Sequence, residues 1–133
     1  RRAIGWDLYG LLGIKKGDRE RTFDQHNRNY TLFDAPVGLF VFIDKSLEVG
    51  SWLDLGMLMQ TIMLVAREHG LHTCPQAAWH IYHQIVRKWT GAGENESLAA
   101  VIALGYEDTL AIENTLRTPR EPLEKVVTFS GFD

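Results

Sequence analysis

The stretch EHGLHTCPQAAWHIYHQIVRKW (Glu68–Trp89) decides the fold. It opens where a long apolar helix meets Gly70, passes through a short segment holding Cys74 and Pro75, and re-enters helix at an aromatic. Gly70 is placed as a helix C′ residue should be, where a left-handed backbone ends the helix. Pro75 lacks an N–H, and Ala77 and Ala78 offer little side chain. Two readings of TCPQAAW therefore stand side by side: a strand-to-helix turn packed with small residues, or a backbone surface bare enough for a flat ligand to lie against.

Upstream, the residues from about Trp52 to His69 form a helix with Trp52, Leu55, Met59, Ile62 and Ala66 along one side. Leu53, Met57, Leu58, Leu64 and Val65 cover much of the rest. A helix apolar nearly all round buries more than one face. It either lies at the centre of a single core or is shared between its own sheet and a partner subunit. Ser46 and Asp54 are possible caps at its start. Before it, APVGLFVFID (Ala35–Asp44) is a run of β-formers behind a proline and predicts a buried strand. Earlier still, Asp18 is a plausible N-cap for a polar helix reaching about Phe33. Ile4, Leu8, Leu11 and Leu12 recur at helical spacing in the opening residues.

Downstream, the spacing predicts a helix through His80–Trp89, a turn in TGAGENES, and a second buried strand, Leu98–Tyr106. The tail LRTPREPLEKVVTFSGFD has two prolines that forbid a regular helix, followed by a β-prone KVVTF. Strands and helices mix along the chain without repeats or linkers, which predicts one α+β domain over residues 1–133. The chain opens without Met and already in helix, as a segment from within a longer protein would.

At 133 residues the length suits one domain. Hydrophobic residues make up 45% and charged residues 23%, ordinary globular usage. The net charge of −3, with cations scattered among acids, gives no footprint for nucleic acid. Cys74 is the single cysteine, so no intramolecular disulfide forms, in keeping with a reducing, cytoplasmic setting. No signal peptide is visible, and no uninterrupted apolar run reaches the roughly 18 residues of a membrane span.

Chemical motifs are sparse. There is no G-x-S-x-G and no P-loop, and GAGENE follows a helix rather than a strand, so it is not a dinucleotide fingerprint. His69/His72 and His80/His83 are spaced three apart, but zinc needs three or four ligands and only one thiol is present. They read as helix-end or surface histidines rather than a metal site. Arg117 and Arg120 flank Pro119 in a segment that cannot be helical. Guanidinium groups fork onto phosphate oxygens, so the pair suits a terminal phosphate, or else is simply two surface arginines.

Taken in order, WLDLGMLMQTIMLVAREHGLHTCPQAAW, ALGYED and NTLRTPREPLEKVVTFSGF resemble the C-terminal part of the FMN-dependent nitroreductase family. GWDLYGLLGIKKGDRE resembles a helical insertion of one subgroup. The resemblance covers nearly all of the chain and about the last three-fifths of a family member, so residues 1–133 are expected to continue a domain whose N-terminal part, with its Arg-x-Ser motif for FMN, is missing. It implies a mixed sheet flanked by helices, built into an intertwined homodimer with FMN at the interface. In that dimer the Trp52–His69 helix forms much of the contact, and KVVTF is the strand that crosses to the partner.

Carried over position by position, Thr73, Cys74, Pro75, Gln76, Ala77 and Ala78 match the segment lying along the isoalloxazine ring. Arg120 matches the phosphate-binding arginine. Arg117 falls near a second basic position, which Thr118 could equally take. Glu107 stands where many relatives have Pro. The implied activity is NADH- or NADPH-dependent reduction of flat electron-poor acceptors, such as nitroaromatics, quinones and enones, by ping-pong hydride transfer through FMN. No catalytic side chain is required, since the flavin carries the hydride. The rival expectation is a truncated, non-enzymatic flavin-fold module for dimerisation or partner binding.

Overall fold

A computed structural model describes residues 2–131; Arg1 and the Phe132 of the tail motif lie outside the described residues. The chain divides into two compact units, residues 18–108 and residues 2–17 with 109–131.

The larger unit is built on a three-stranded antiparallel sheet. Strands β1 (Val37–Asp44), β2 (His72–Gln76) and β3 (Glu96–Gly105) lie in the order β1-β3-β2. The central strand carries the core: Val101 and Ile102 are both 0% exposed although they point to opposite faces, so both faces of β3 are covered. On one face Val101, Leu98 and Val86 pack with Leu32, Phe40, Phe42 and Trp79. Strict alternation would put Leu98 and Val101 on opposite faces. They share one because the register slips between Val41 and Phe42: Val41 faces Ala100 while Phe42 faces Leu98. Ala99 is the extra residue of this bulge.

The expected buried strand at Leu98–Tyr106 is therefore found, at Glu96–Gly105. The strand expected in Ala35–Asp44 is found as β1, but only Ile43 in it is buried. Among the described residues β1 has one ladder neighbour, so it is an edge rather than a core strand.

Helix α2 (Arg19–Asn27) starts at Asp18 as expected: the Asp18 carboxylate accepts from Arg21 N at 3.1 Å. It stops earlier than expected. Residues Arg28–Asp34 tighten into 3₁₀ geometry, and Leu32, Phe33 and Asp34 then take positive φ of 57°, 52° and 66°. Helix α3 (Val49–Glu68) begins at Glu48 without a side-chain cap, so neither Ser46 nor Asp54 serves as one. Ser46 instead gives its N–H and hydroxyl to Asp44 Oδ1. Gly70, at φ 73°, ends α3 as expected. A 3₁₀ turn, Ala78–Tyr82, leads into α4 (His83–Thr90).

The sequence predicts a helix buried on more than one face; within this chain only the side of Leu55, Met59, Ile62 and Ala66 is covered, with Ala66 buried and the other three half-buried, while Trp52 stays more exposed. This side is the one toward the sheet, where α3 touches β2. The opposite side is open: Val49, Leu53, Met57 and Leu64 are 73%, 65%, 61% and 61% exposed. At 3.6 residues per turn these four fall within about 80° of arc, one apolar stripe. By length and composition α3 is long and apolar enough to cross a membrane, although charged and polar residues interrupt its apolar run. Its two sides differ, however, one against a sheet and one bare, as in an interface helix.

The smaller unit contains α1 (Arg2–Leu11), where the opening periodicity predicts it, and a 3₁₀ turn at Ile112–Thr115. The tail differs from expectation. Instead of a strand in KVVTF, Leu123–Val126 form a single helical turn, α5, behind Pro122. Val127 is extended, but no ladder partner for it is present among the described residues, and a strand without one gains no hydrogen bonds.

Candidate functional site

Thr73, Cys74, Pro75 and Gln76 all lie in β2, and Ala77 and Ala78 turn directly out of it. Their register is fixed by β3: Thr73 opposite Leu104, Cys74 opposite Ala103, Pro75 opposite Ile102 and Gln76 opposite Val101. A proline tolerates this place only at an edge, with its nitrogen turned away from the ladder. By alternation the backbone of Thr73 then faces the same open edge, offering its N–H and C=O beside the Pro75 carbonyl. Cys74, Pro75 and Ala77 are exposed and Ala78 is half-buried. The result is a ledge of backbone with only short side chains above it. Although Cys74 has exposed surface, the chain packed around its sulfur pushes the thiol pKa up, which keeps it protonated and weakly nucleophilic.

Gln76 differs from its neighbours. It is 3% exposed, the one buried polar side chain among the described residues. Its Nε2 donates to Asn29 O at 3.0 Å and to Asn29 Oδ1 at 3.2 Å, while its Oε1 accepts from Trp79 Nε1 at 3.4 Å. Of the six ledge residues, this one is buried, with its side chain engaged inward. Tyr30, beside Asn29, sends its hydroxyl to Ala78 O at 3.4 Å and packs edge-on against Trp79 and Tyr82, with centroids 5.3 and 5.0 Å away. Desolvation by its surroundings, and secondarily Tyr82, raise the Tyr30 pKa, so the phenol stays a donor.

At the other end of β2, His72 Nδ1 accepts from Glu107 N at 3.2 Å. Nε2 lies 3.1 Å from Glu107 Oε2, and Arg67 Nη1 is also against Nε2. A proline at 107 could make neither bond. The other predicted pair has backbone partners: His80 Nε2 donates to Ala99 O, the carbonyl of the bulge residue, at 2.6 Å, and His83 Nδ1 lies 3.1 Å from His80 O. Among the described residues no three His, Cys, Asp or Glu side chains gather as a metal site needs.

Arg117 and Arg120 belong to the smaller unit. Both are held by their own loop: Arg117 Nη1 donates to Asn114 O at 3.0 Å, and Arg120 Nη1 to Thr118 O and Oγ1 at 3.2 and 2.5 Å. Each guanidinium uses one nitrogen in these bonds and has further N–H groups to offer. Asn29, Tyr30, Trp79 and the His72–Glu107 pair were not singled out from the sequence. The contacts of Asn29 with Gln76, Tyr30 with Ala78 and Glu107 with His72 span 35 to 48 residues of chain, beyond the reach of local spacing.

The sequence profile of the nitroreductase family matches residues 10–106. The chain belongs to the nitroreductase family. It is 38% identical over 126 residues to a 4-nitrobenzoate reductase of Pseudomonas putida, covering 95% of this chain and 56% of that protein. Among solved structures, the FMN- and NADPH-dependent nitroreductase NfnB of Sphigopyxis sp. strain HMH superposes with a TM-score of 0.96 at 37% identity, over 99% of this chain and 59% of that one. The FMN-dependent NfnB of Mycobacterium smegmatis, solved with NADPH, gives a TM-score of 0.93 at 32% identity, over 98% and 58%. The nitroreductase-like α+β fold expected from the sequence is thus the fold present, although the pairings described in this chain are antiparallel rather than those of a mixed sheet, and the chain spans between half and three-fifths of these relatives' length.

Proposed function

We propose that this chain is part of a single nitroreductase domain that binds FMN and uses NADH or NADPH to reduce flat, electron-poor acceptors, nitroaromatics first among them and quinones and enones in the same class. The observation that carries the reading is the β2 ledge: an edge strand with open backbone polar groups, capped by Pro75, Ala77 and Ala78 rather than by bulky side chains. A tricyclic ring needs such a bare, rigid surface. Larger side chains at 77 or 78 would occupy the space above the ledge. FMN, when bound, supplies the hydride chemistry itself, accepting from the nicotinamide and donating to the acceptor in alternate half-reactions.

In this proposal the chain's residues bind and orient. Thr73, Cys74, Pro75, Gln76, Ala77 and Ala78 present backbone to the ring, with the Thr73 N–H and C=O and the Pro75 C=O at the open edge. Arg120 and Arg117, each already steadied by a loop carbonyl, offer their remaining N–H groups to the phosphate. Cys74 contributes backbone and volume; its thiol is kept neutral.

We further propose that the protein is a cytoplasmic homodimer, with the open stripe of α3 against a second copy. An apolar stripe of this length on one helix is the kind of surface that marks a protein contact.

The test is direct. The purified protein should be yellow, or become so with added FMN, and its flavin absorbance should bleach anaerobically with NADH or NADPH and return on adding a nitroaromatic. A colourless protein that ignores FMN would overturn the reading.

A further inference from the structure

We propose that the Asn29–Gln76 pair is a positioning latch for the flavin ledge, acting on the cofactor through the backbone it immobilises rather than by touching it. The inference rests on the FMN reading above. Gln76 sits at the last residue of β2, where the chain leaves the ladder and turns into Ala77–Ala78. Beyond this point β3 no longer holds the backbone: the last paired residue is Gln76 itself, opposite Val101. Something else has to fix the corner, and its side chain does so.

The chemistry of the surroundings admits one amide orientation. On one side lie two oxygens of Asn29, which require a donor; on the other lies the Trp79 indole N–H, which requires an acceptor. Asn29 is itself oriented, because its Nδ2 donates to His26 O at 2.8 Å, which turns Oδ1 toward Gln76. Tyr30 continues the same contact by donating to Ala78 O. Residues 29 and 30 thus grip positions 76 and 78 on either side of Ala77, the exposed residue at the corner of the ledge. Neither Asn29 nor the Gln76 side chain is needed as a ligand. Their role is to remove freedom from backbone that is.

A glutamate at 76 tests this, because its two protonation states differ in the one respect that matters. As the neutral acid, Gln76→Glu keeps a donor for Asn29 O and an acceptor for Trp79 Nε1. As the carboxylate, it has no donor and faces an oxygen. Burial and that facing oxygen both favour the neutral form, so the change falls above the ordinary carboxylate range.

The experiment titrates the flavin-free full chain with FMN from pH 5 to 9, following flavin fluorescence and visible circular dichroism, at a temperature where far-UV circular dichroism shows every variant folded. The expected result is near-wild-type FMN affinity for Gln76→Glu at pH 5 and affinity at least tenfold weaker by pH 8, with an altered flavin dichroism, while wild type varies less than twofold. Asn29→Ala, a half-buried position, should weaken FMN about threefold at every pH. Wild type and Gln76→Glu tracking each other within twofold across the range would overturn the latch. Should Gln76→Glu not fold, unchanged FMN affinity in Asn29→Ala would do the same. Failure of the wild type to bind FMN at all is a different result: it removes the flavin reading, and the latch with it.

Discussion

Replacing Met57 with glutamate places a charge in the middle of the open stripe of α3. Met57 is 61% exposed and is flanked one turn earlier by Leu53 and two turns later by Leu64, both also well exposed. If the stripe meets a second copy across a two-fold axis, each dimer contains the substitution twice. Fully burying a methionine side chain is worth about 1.5–3 kcal/mol, so burying the 61% that is open contributes about 1–2 kcal/mol per copy. Losing it in both copies costs about 2–4 kcal/mol, or roughly 30- to 700-fold in dissociation constant. The unpaired carboxylates, stripped of water, add to that. Sedimentation velocity across micromolar concentrations should show wild type as a dimer and Met57→Glu as a monomer at the same loading. The control Asp54→Ala, off the stripe, should remain dimeric. A wild type that sediments as a monomer, or a Met57→Glu protein that stays dimeric at low micromolar concentration, would refute the assignment of this face.

Three other outcomes follow from particular contacts. The Ser46 backbone N–H, helped by the Ser46 hydroxyl and Asn95, holds the Asp44 carboxyl below its ordinary pKa. A lowered folded-state value means stability that is complete above the unfolded aspartate value, about 3.9, and lost as pH falls through the folded one. Urea midpoints of wild type and Asp44→Asn should therefore differ at pH 6 and converge toward pH 3; parallel curves would count against it. A Cβ at Gly105 would sit 2.8 Å from Pro36 Cδ, in a ring that cannot rotate aside. Gly105→Ala should thus cost about 1–3 kcal/mol in denaturant unfolding, an overpacking penalty. If the proposed FMN site is right, Arg120→Gln removes a charge-assisted phosphate contact worth about 1.5–3 kcal/mol. FMN should bind about 10- to 100-fold more weakly while riboflavin, lacking the phosphate, is unaffected; equal losses for both would show that Arg120 does not meet the phosphate.

Much of the architecture was legible in local pattern. Asp18 capping α2, Gly70 ending α3 and the apolar run of β3 all follow from spacing and local composition. The tail is the opposite case. Val126 and Val127 favour strand, and the strand expected there pairs with a partner subunit; in this chain Leu123–Val126 close a helical turn and Val127 is extended. The end of α2 was missed: nothing in Leu32, Phe33 and Asp34 advertises a left-handed backbone, which costs a non-glycine residue about 1–2 kcal/mol and is imposed by tertiary packing. The bare strand edge at Thr73–Ala78 is legible in Pro75 and the alanines, yet its supports are not. Asn29 is one polar residue among many in a polar segment, and only the folded chain brings it to Gln76.

The bulge at Ala99 decides where β3 can change length. Removing a residue elsewhere in the strand would turn every side chain on one flank to the opposite face. Removing Ala99 would not: Ala100 already faces Val41 and Leu98 already faces Phe42, so the ladder would simply become regular. What would be forfeited is the carbonyl that His80 holds. A single-residue deletion in this family's central strand, if natural sequences carry one at all, is thus tolerable at that site and should travel with the loss of the histidine.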